Sequence, residues 1–126
     1  MKSKLLLFML AAFLLGGCSA HTVDTYKQID MSEAVELMQT ETDYIILDVR
    51  RSDEFSEGHI PDAINIPNES IGENEIAELP DKGQLILVYC RSGRRSKEAA
   101  DKLVSLGYTN IVECGGILDW TGEIEK

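Results

Sequence analysis

Positive charge is scarce in this chain. Its 126 residues include 12 lysines and arginines against 22 aspartates and glutamates, which gives a formal net charge of −10 at pH 7. A surface with this balance repels nucleic acid and anionic lipid alike, so the composition argues against a nucleic-acid-binding protein. An anionic ligand would need a local cluster of positive side chains to attract it.

Cysteine and histidine are also scarce. The chain has three cysteines and two histidines. Three cysteines are too few for a disulfide scaffold, and no cysteine or histidine pair has the spacing of a zinc site. We therefore expect neither a metal nor another cofactor, and each cysteine needs its own explanation.

No apolar run is long enough to cross a bilayer. The longest, Leu5–Leu15, has about eleven residues and follows two lysines, a pattern typical of a signal peptide. Small residues then lead to Cys18, an ending that resembles the bacterial lipobox, whose cysteine is diacylated and becomes the new N-terminus. The sequence predicts a lipoprotein signal over residues 1–17 and an extracytoplasmic protein anchored to a bacterial membrane through Cys18. The alternative is an ordinary cleaved signal with an incidental cysteine.

The remaining chain has the length of one compact domain. Residues 18–126 number 126 − 17 = 109, and loss of two lysines with the signal changes the formal charge to 10 − 22 = −12. We assign residues 18–29 to the lipidated N-terminus and a tether, and residues 30–126 to the folded domain. The sequence does not define an oligomeric state.

Strand and helix patterns alternate along the domain. Strands are predicted at Tyr44–Val49, Ala63–Ile66, Leu85–Tyr89 and Asn110–Glu113, the last broken by Gly115 and Gly116. Helices are predicted from an N-cap at Ser32 to Met38, then at 52–57, 72–79, 96–106 and 117–125. This alternation predicts an α/β fold with a mainly parallel sheet covered by helices on both faces.

The loop after the third predicted strand concentrates positive charge. Cys90 ends the strand, and Arg91, Arg94 and Arg95 follow within six residues, with Gly93 able to form a tight turn. Backbone N–H groups in such a turn can form an anion nest, and the next helix adds the positive end of its dipole. These features favour a thiolate, so the sequence predicts Cys90 as a nucleophile. The alternative is a buried cysteine beside arginines in surface ion pairs.

Residues 90–96, Cys-Arg-Ser-Gly-Arg-Arg-Ser, resemble the active-site loop of single-domain rhodaneses, which are sulfurtransferases. Three other segments resemble family signatures in the same order: Ile-Leu-Asp-Val-Arg at 46–50, Glu-Gly-His-Ile-Pro-Asp-Ala-Ile-Asn-Ile-Pro at 57–67, and Gly-Gly-Ile-Leu-Asp-Trp at 115–120. The resemblance covers about residues 30–122. Asp62 departs from it, because the family usually has glycine there.

The resemblance implies a single rhodanese-like domain with a five-stranded parallel sheet and a reaction in two halves. Cys90 would take sulfane sulfur from a small anionic donor such as thiosulfate, or from a persulfide, and become a persulfide itself. A thiol or cyanide would then accept the sulfur. The residues implied in binding the substrate are Arg91, Ser92, Gly93, Arg94 and Arg95.

Two other functions are consistent with parts of this pattern. Cell-cycle phosphatases share the fold class, but their loops place five residues between cysteine and arginine, whereas Arg95 follows Cys90 after four. The tighter loop favours a sulfur atom over a phosphate group. The second alternative is a noncatalytic, membrane-anchored module that binds or senses sulfur compounds with the same fold and thiol.

Four residues outside the loop have specific expectations. The resemblance implies that the strand ending near Cys114 neighbours the strand ending at Cys90, so we hypothesise that Cys114 resolves the persulfide or pairs reversibly with Cys90. The alternative is an inert thiol beside the glycine turn. We expect Asp48 to form an interior hydrogen bond or an ion pair with Arg50. His59 is expected to be structural, and Trp120 to cover the core.

Overall fold

The computed structural model describes residues 25–126. Its strands are β1 (Lys27–Gln28), β2 (Tyr44–Asp48), β3 (Ile64–Asn65), β4 (Leu85–Cys90) and β5 (Ile111–Gly116). They form one sheet in the order β1-β5-β4-β2-β3, and every neighbouring pair is parallel. The predicted five-stranded parallel sheet is therefore confirmed, with β4 at its centre.

Three helices connect the strands. They are α1 (Met31–Thr40), α2 (Ser52–Glu57) and α3 (Arg94–Ser105), and single 3-10 turns occur at Asn68–Ser70 and Ile117–Asp119. Within residues 25–126, none of the helices has both the length and the apolar character needed to span a bilayer.

The central strand alternates between two apolar clusters. Ile86, Val88 and Cys90 belong to the cluster that contains Ala99, Ala100 and Leu103 of α3. Leu87 and Tyr89 belong to the other cluster, with Met31 and Ala34 of α1. Because successive side chains of a strand point to opposite faces, α3 and α1 cover opposite faces of the sheet, as predicted.

Helix α1 begins two residues earlier than the sequence suggested. Its N-cap is Asp30 rather than Ser32: the Asp30 carboxylate accepts from the Glu33 N–H at 2.9 Å, and Glu33 Oε1 accepts from the Asp30 N–H at 3.0 Å. This reciprocal capping box satisfies two backbone donors at once, which a serine two residues inside the helix cannot do.

The predicted helix at 72–79 is wrong. This segment forms turns, and of its side chains only Leu79 is buried. One buried residue cannot supply the apolar stripe that holds a surface helix against a core. The predicted final helix is also reduced to a single turn, after which Glu125 pairs with His59 in an isolated antiparallel bridge.

Strands β5 and β1 also differ from the prediction: β5 is longer than predicted, and β1 was not predicted. Strand β5 continues through Gly115 and Gly116, and Gly116 pairs with Cys90 of β4. A Cβ at Gly116 would lie 2.0 Å from the Arg91 carbonyl oxygen, so glycine is there to let two backbones approach rather than to end the strand. Strand β1 adds to the sheet two residues that we had assigned to the tether.

Candidate active site

Cys90 is the last residue of the central strand, and the loop after it folds back over its sulfur. The residue is only 1% exposed. Gly93 adopts a φ of 122° and donates its N–H to Cys90 Sγ at 3.0 Å. A side chain at position 93 would strain this left-handed backbone conformation, so the turn that the sequence suggested depends on glycine.

Hydrogen bonds outweigh the effect of burial on the Cys90 thiol. Burial raises its pKa, whereas bonds from the Ser96 side chain and from the backbone N–H groups of Ser96, Gly93 and Ser92 lower it. The net result is a pKa below the ordinary value, which favours the thiolate. Ser96 was missed as a site residue in the sequence because it reads there only as the start of a helix.

A pocket of about 370 Å³ opens above the sulfur. Its walls are formed by Arg51, Glu69, Cys90, Arg91, Ser92, Arg94 and Arg95. The lining of this pocket contains four arginines and one glutamate, in a protein whose overall charge is strongly negative. The structure thus brings together all the loop side chains that the sequence singled out.

Arg51 is a pocket residue that the sequence reasoning missed. It precedes α2, just beyond the carboxyl end of β2. Carboxyl ends of adjacent parallel strands share one edge of a sheet, so β2 and β4 bring Arg51 and Cys90 to the same pocket. The sequence could have indicated Arg51, because it follows the predicted strand end at Val49 and residues just after a parallel strand lie at the carboxyl edge of the sheet.

The arginines differ in how they are held. Arg95 donates to both carboxylate oxygens of Glu54, at 2.7 and 3.2 Å, and this pairing lowers the pKa of Glu54 to about 2. Arg94 pairs with Glu98 at 2.9 Å in an exposed bridge. Arg91 is exposed and makes no ion pair with any residue of the described range 25–126. Arg95 is therefore fixed in orientation, and Arg91 has its charge available.

Asp48 supports the interior rather than the pocket. Its carboxylate accepts from Arg50 Nη2 at 2.7 Å and from the Tyr89 hydroxyl at 2.6 Å, and all three residues are buried. Burial, followed by the neighbouring Asp48 carboxylate, raises the pKa of Tyr89, which keeps the phenol protonated as the donor. The expected ion pair between Asp48 and Arg50 is confirmed.

His59 and Trp120 have structural contacts, as expected. His59 Nδ1 lies 2.9 Å from the Phe55 carbonyl oxygen, and the two rings stack with centroids 3.7 Å apart. Trp120 packs against the cluster on the α1 face. Asp62 has a φ of 72°, so the turn keeps the left-handed conformation for which glycine is usual.

The structure argues against direct pairing of Cys114 with Cys90. Cys114 belongs to the cluster on the α1 face, whereas Cys90 belongs to the cluster on the α3 face. A disulfide needs Cβ directions that converge, and here the side chains leave opposite faces of the sheet. Burial, then the charges of Glu113 and Cys90, raise the pKa of Cys114 to about 12. Such a thiol is a poor resolving nucleophile.

The chemistry available at the pocket is that of an activated thiol. Among residues 25–126, no three histidine, cysteine, aspartate or glutamate side chains are grouped so that they could hold a metal ion. A buried thiolate with N–H donors around it can instead form and hold an anionic covalent adduct on sulfur.

Comparison with known proteins gives a consistent result. The sequence model of the rhodanese-like domain matches residues 30–123. The chain is 37% identical to thiosulfate sulfurtransferase PspE of Escherichia coli K12 over 58% of this chain and 70% of that protein. It is 36% identical to thiosulfate sulfurtransferase GlpE of Coxiella burnetii over 75% of this chain and 87% of that protein.

A solved structure described as rhodanese with anions from E. coli superposes with a TM-score of 0.60. That structure is 34% identical in sequence, and the match covers 66% of this chain and 98% of the other. The fold, the loop around Cys90 and these relatives agree, and the chain belongs to the rhodanese-like family, whose sulfurtransferase members include its relatives.

Proposed function

We propose that this protein is a sulfurtransferase that moves sulfane sulfur from a thiosulfate- or persulfide-type donor to a thiol or cyanide through a persulfide on Cys90. One observation carries the proposal: the Cys90 sulfur accepts the Gly93 N–H at the base of a pocket lined by four arginines. That arrangement stabilises a thiolate and attracts an anion to it.

In the first half-reaction, the Cys90 thiolate attacks the outer sulfur of thiosulfate. A new sulfur–sulfur bond forms on Cys90, the sulfur–sulfur bond of the donor breaks, and sulfite leaves with the bonding electron pair. The product carries its negative charge on the terminal sulfur. The loop N–H groups that lower the pKa of Cys90 are suited to hold this charge.

In the second half-reaction, an acceptor attacks the terminal sulfur. With cyanide, thiocyanate forms and the electron pair of the breaking bond returns to Cys90 as a thiolate. No net electron or proton enters or leaves the site during this cycle. The same loop can therefore serve both halves without rearranging its donors.

The charge pattern supports an anionic donor. The relatives PspE and GlpE are named thiosulfate sulfurtransferases, and the E. coli rhodanese structure is described with anions. In this chain, Arg91 is exposed at the pocket and Arg95 is fixed by Glu54. We assign the first contact with a donor to Arg91 and its orientation to Arg95.

Intact-mass analysis after incubation with thiosulfate tests the proposal. The wild type and Cys114→Ser should gain the mass of one sulfur atom and form thiocyanate when cyanide is added, and Cys90→Ser should do neither. Transfer that survives in Cys90→Ser refutes the nucleophile. A sulfur gain without turnover in the wild type instead favours the noncatalytic sulfur-sensing module.

We also propose that the protein is a lipoprotein outside the cytoplasm. The signal at 1–17 and Cys18 lie outside the described residues, so this proposal is supported only by the charged start, the apolar run and the small residues before Cys18. Membrane fractionation of the full chain tests it: Cys18→Ser should move the protein from the membrane to the soluble fraction. Equal membrane retention of both proteins would refute the anchor.

A further inference from the structure

A buried carboxyl group lies beneath the active loop and takes no part in the sulfur transfer described above. Glu113 of β5 is 1% exposed. Its Oε2 accepts the Ser96 hydroxyl at 2.5 Å and the Gly115 N–H at 3.0 Å. Within residues 25–126 it forms no salt bridge with a cation. An ionised carboxylate in such a place is costly, because no positive charge compensates for its lost hydration.

Ser96 connects this carboxyl to the nucleophile. Its Oγ lies 3.5 Å from Cys90 Sγ, 2.5 Å from Glu113 Oε2 and 3.0 Å from the Gly93 carbonyl oxygen. The hydroxyl has a single proton to donate. When Ser96 donates to a Glu113 carboxylate, it cannot also donate to a Cys90 thiolate.

If Ser96 instead donates its hydrogen bond to the Cys90 thiolate, Glu113 must carry a proton. If Ser96 donates to the thiolate, the oxygen of Ser96 is left as an acceptor facing Glu113 Oε2. A protonated carboxyl fills that role, since it has one O–H donor. The short contact between Ser96 and Glu113 is then the same in both states, and only the direction of the chain of hydrogen bonds is reversed.

We propose that Glu113 holds the proton released when Cys90 becomes a thiolate, and that Ser96 passes it. The S–H bond of Cys90 breaks and its proton moves to Ser96 Oγ, while the hydroxyl proton of Ser96 moves to Glu113 Oε2. One negative charge is present before and after, so the buried site gains no charge. This inference rests on the Cys90 nucleophile proposed above but not on any sulfur donor.

The other titratable groups near Cys90, Ser96 and Glu113 do not compete for the proton that Cys90 releases. Burial raises the pKa of Tyr26 above its ordinary value. The pKa of Cys114 is about 12. Both groups remain protonated near neutral pH. Arg95 is positively charged, and its hydrogen bond to Glu54 and its interaction with the Cys90 thiolate raise the pKa of the guanidinium, so Arg95 does not accept the proton either.

A shared proton has a distinctive titration. Two coupled groups lose their protons in two macroscopic steps, and between the steps one proton remains on the pair. The Cys90 thiolate then appears at the first step, stays at a constant fraction over the neutral range and increases again at the second. An isolated thiol shows a single step.

The rate of Cys90 alkylation by iodoacetamide, followed by peptide mass spectrometry across pH, measures this titration without sulfur transfer. The wild type should show two steps separated by a plateau. Glu113→Gln and Ser96→Ala should each show one step, with rates that fall about tenfold per pH unit below the midpoint. Asp101→Asn is the matched control, since it removes an exposed carboxylate of α3 and should keep both steps.

Two results would overturn the inference. One is a single step in the wild type that merely moves to lower pH in Glu113→Gln, as loss of a neighbouring negative charge requires. The other comes from infrared spectroscopy of the wild type, which needs no variant to fold: the carbonyl band of a protonated carboxyl should persist at neutral pH, and its absence refutes the proposal. Two-step alkylation without sulfur transfer would refute only the sulfurtransferase proposal.

Discussion

Cys90 and Cys114 lie on neighbouring strands of one sheet and are equally buried, each 1% exposed, yet their thiols have opposite properties. Cys90 faces α3, where the loop supplies N–H donors and the Ser96 hydroxyl. Cys114 faces α1, and its sulfur lies 3.5 Å from the Val88 carbonyl oxygen, which is an acceptor. Burial alone therefore does not determine how reactive a cysteine is, because the polarity of the groups around the sulfur decides the favoured protonation state.

The size of the contrast follows from the two pKa shifts. Hydrogen bonds place the pKa of Cys90 below its ordinary value, whereas the pKa of Cys114 is raised to about 12. A thiol whose pKa is raised so far stays protonated at pH 7. One thiol is suited to nucleophilic attack, and the other behaves as a small apolar side chain.

Gly116→Ala should most strongly reduce the difference in reactivity between Cys90 and Cys114. The added Cβ would lie 2.0 Å from the Arg91 carbonyl oxygen, so the loop over Cys90 must shift. We expect kcat/KM for thiosulfate to fall by about 10²-fold, as for other small misplacements of reacting groups. Steady-state thiocyanate formation measures this, and Gly72→Ala, whose added Cβ has no heavy atom within 4 Å, is the control. Equal activity of both variants would contradict the role of the loop.

Arg95→Ala should have a smaller effect on sulfur transfer, and it should leave the Cys114 thiol unchanged. Loss of a fixed positive charge weakens binding of an anionic donor, so we expect kcat/KM for thiosulfate to fall about tenfold, mainly through KM. Glu54→Gln separates this effect from loss of the ion pair, and Lys97→Ala is a control for charge outside the pocket. Unchanged thiosulfate kinetics in Arg95→Ala would show that Arg95 does not orient the donor.

Cys114→Ala should give the smallest change in activity, and the pH-dependent part of its effect on stability should appear only in alkali. A folded-state pKa raised from 9.0 to about 12 means that the unfolded chain loses this proton first as pH rises. The stability contributed by the thiol is complete below pH 9.0 and is lost as pH rises towards 12. Between pH 9 and pH 10, the unfolding free energy of the wild type should fall about 1 kcal/mol more than that of Cys114→Ala.

Urea unfolding at each pH measures the difference, and Cys114→Ser is a second variant without the titrating group. Parallel declines of all three proteins would mean that the thiol titrates in the folded state as it does in the unfolded chain. Cys90 contributes in the opposite direction, because a lowered pKa makes stability rise with pH up to the unfolded value.

The sheet was predictable because its strands are continuous apolar runs. Tyr44–Asp48 and Leu85–Cys90 are buried on both faces, which leaves little room for another interpretation. Gly116 of β5 was misread because the reason for it lies in a distant residue, Arg91, whose carbonyl needs the space. Strand β1 has only two residues, both exposed, and carries no periodic signal.

The site was predictable only where its residues are consecutive. Cys90, Gly93 and the loop arginines share six positions of sequence, so their chemistry could be inferred together. Arg51 reaches the pocket from another strand. Ser96 and Glu113 meet across 17 residues of sequence, and only the packing of α3 on β5 makes them neighbours. Patterns of local sequence contain no record of such contacts.

The direction of β1 has a consequence for how the protein would sit at a membrane. Every strand runs the same way, so the chain enters β1 from the rim of the sheet opposite to Cys90. From Cys18 to Lys27 is 27 − 18 = 9 residues, which reach at most about 30 Å. With the anchor proposed at Cys18, we expect the tether to join the domain at the rim opposite the pocket, which leaves the mouth of the pocket free for water-borne donors and acceptors.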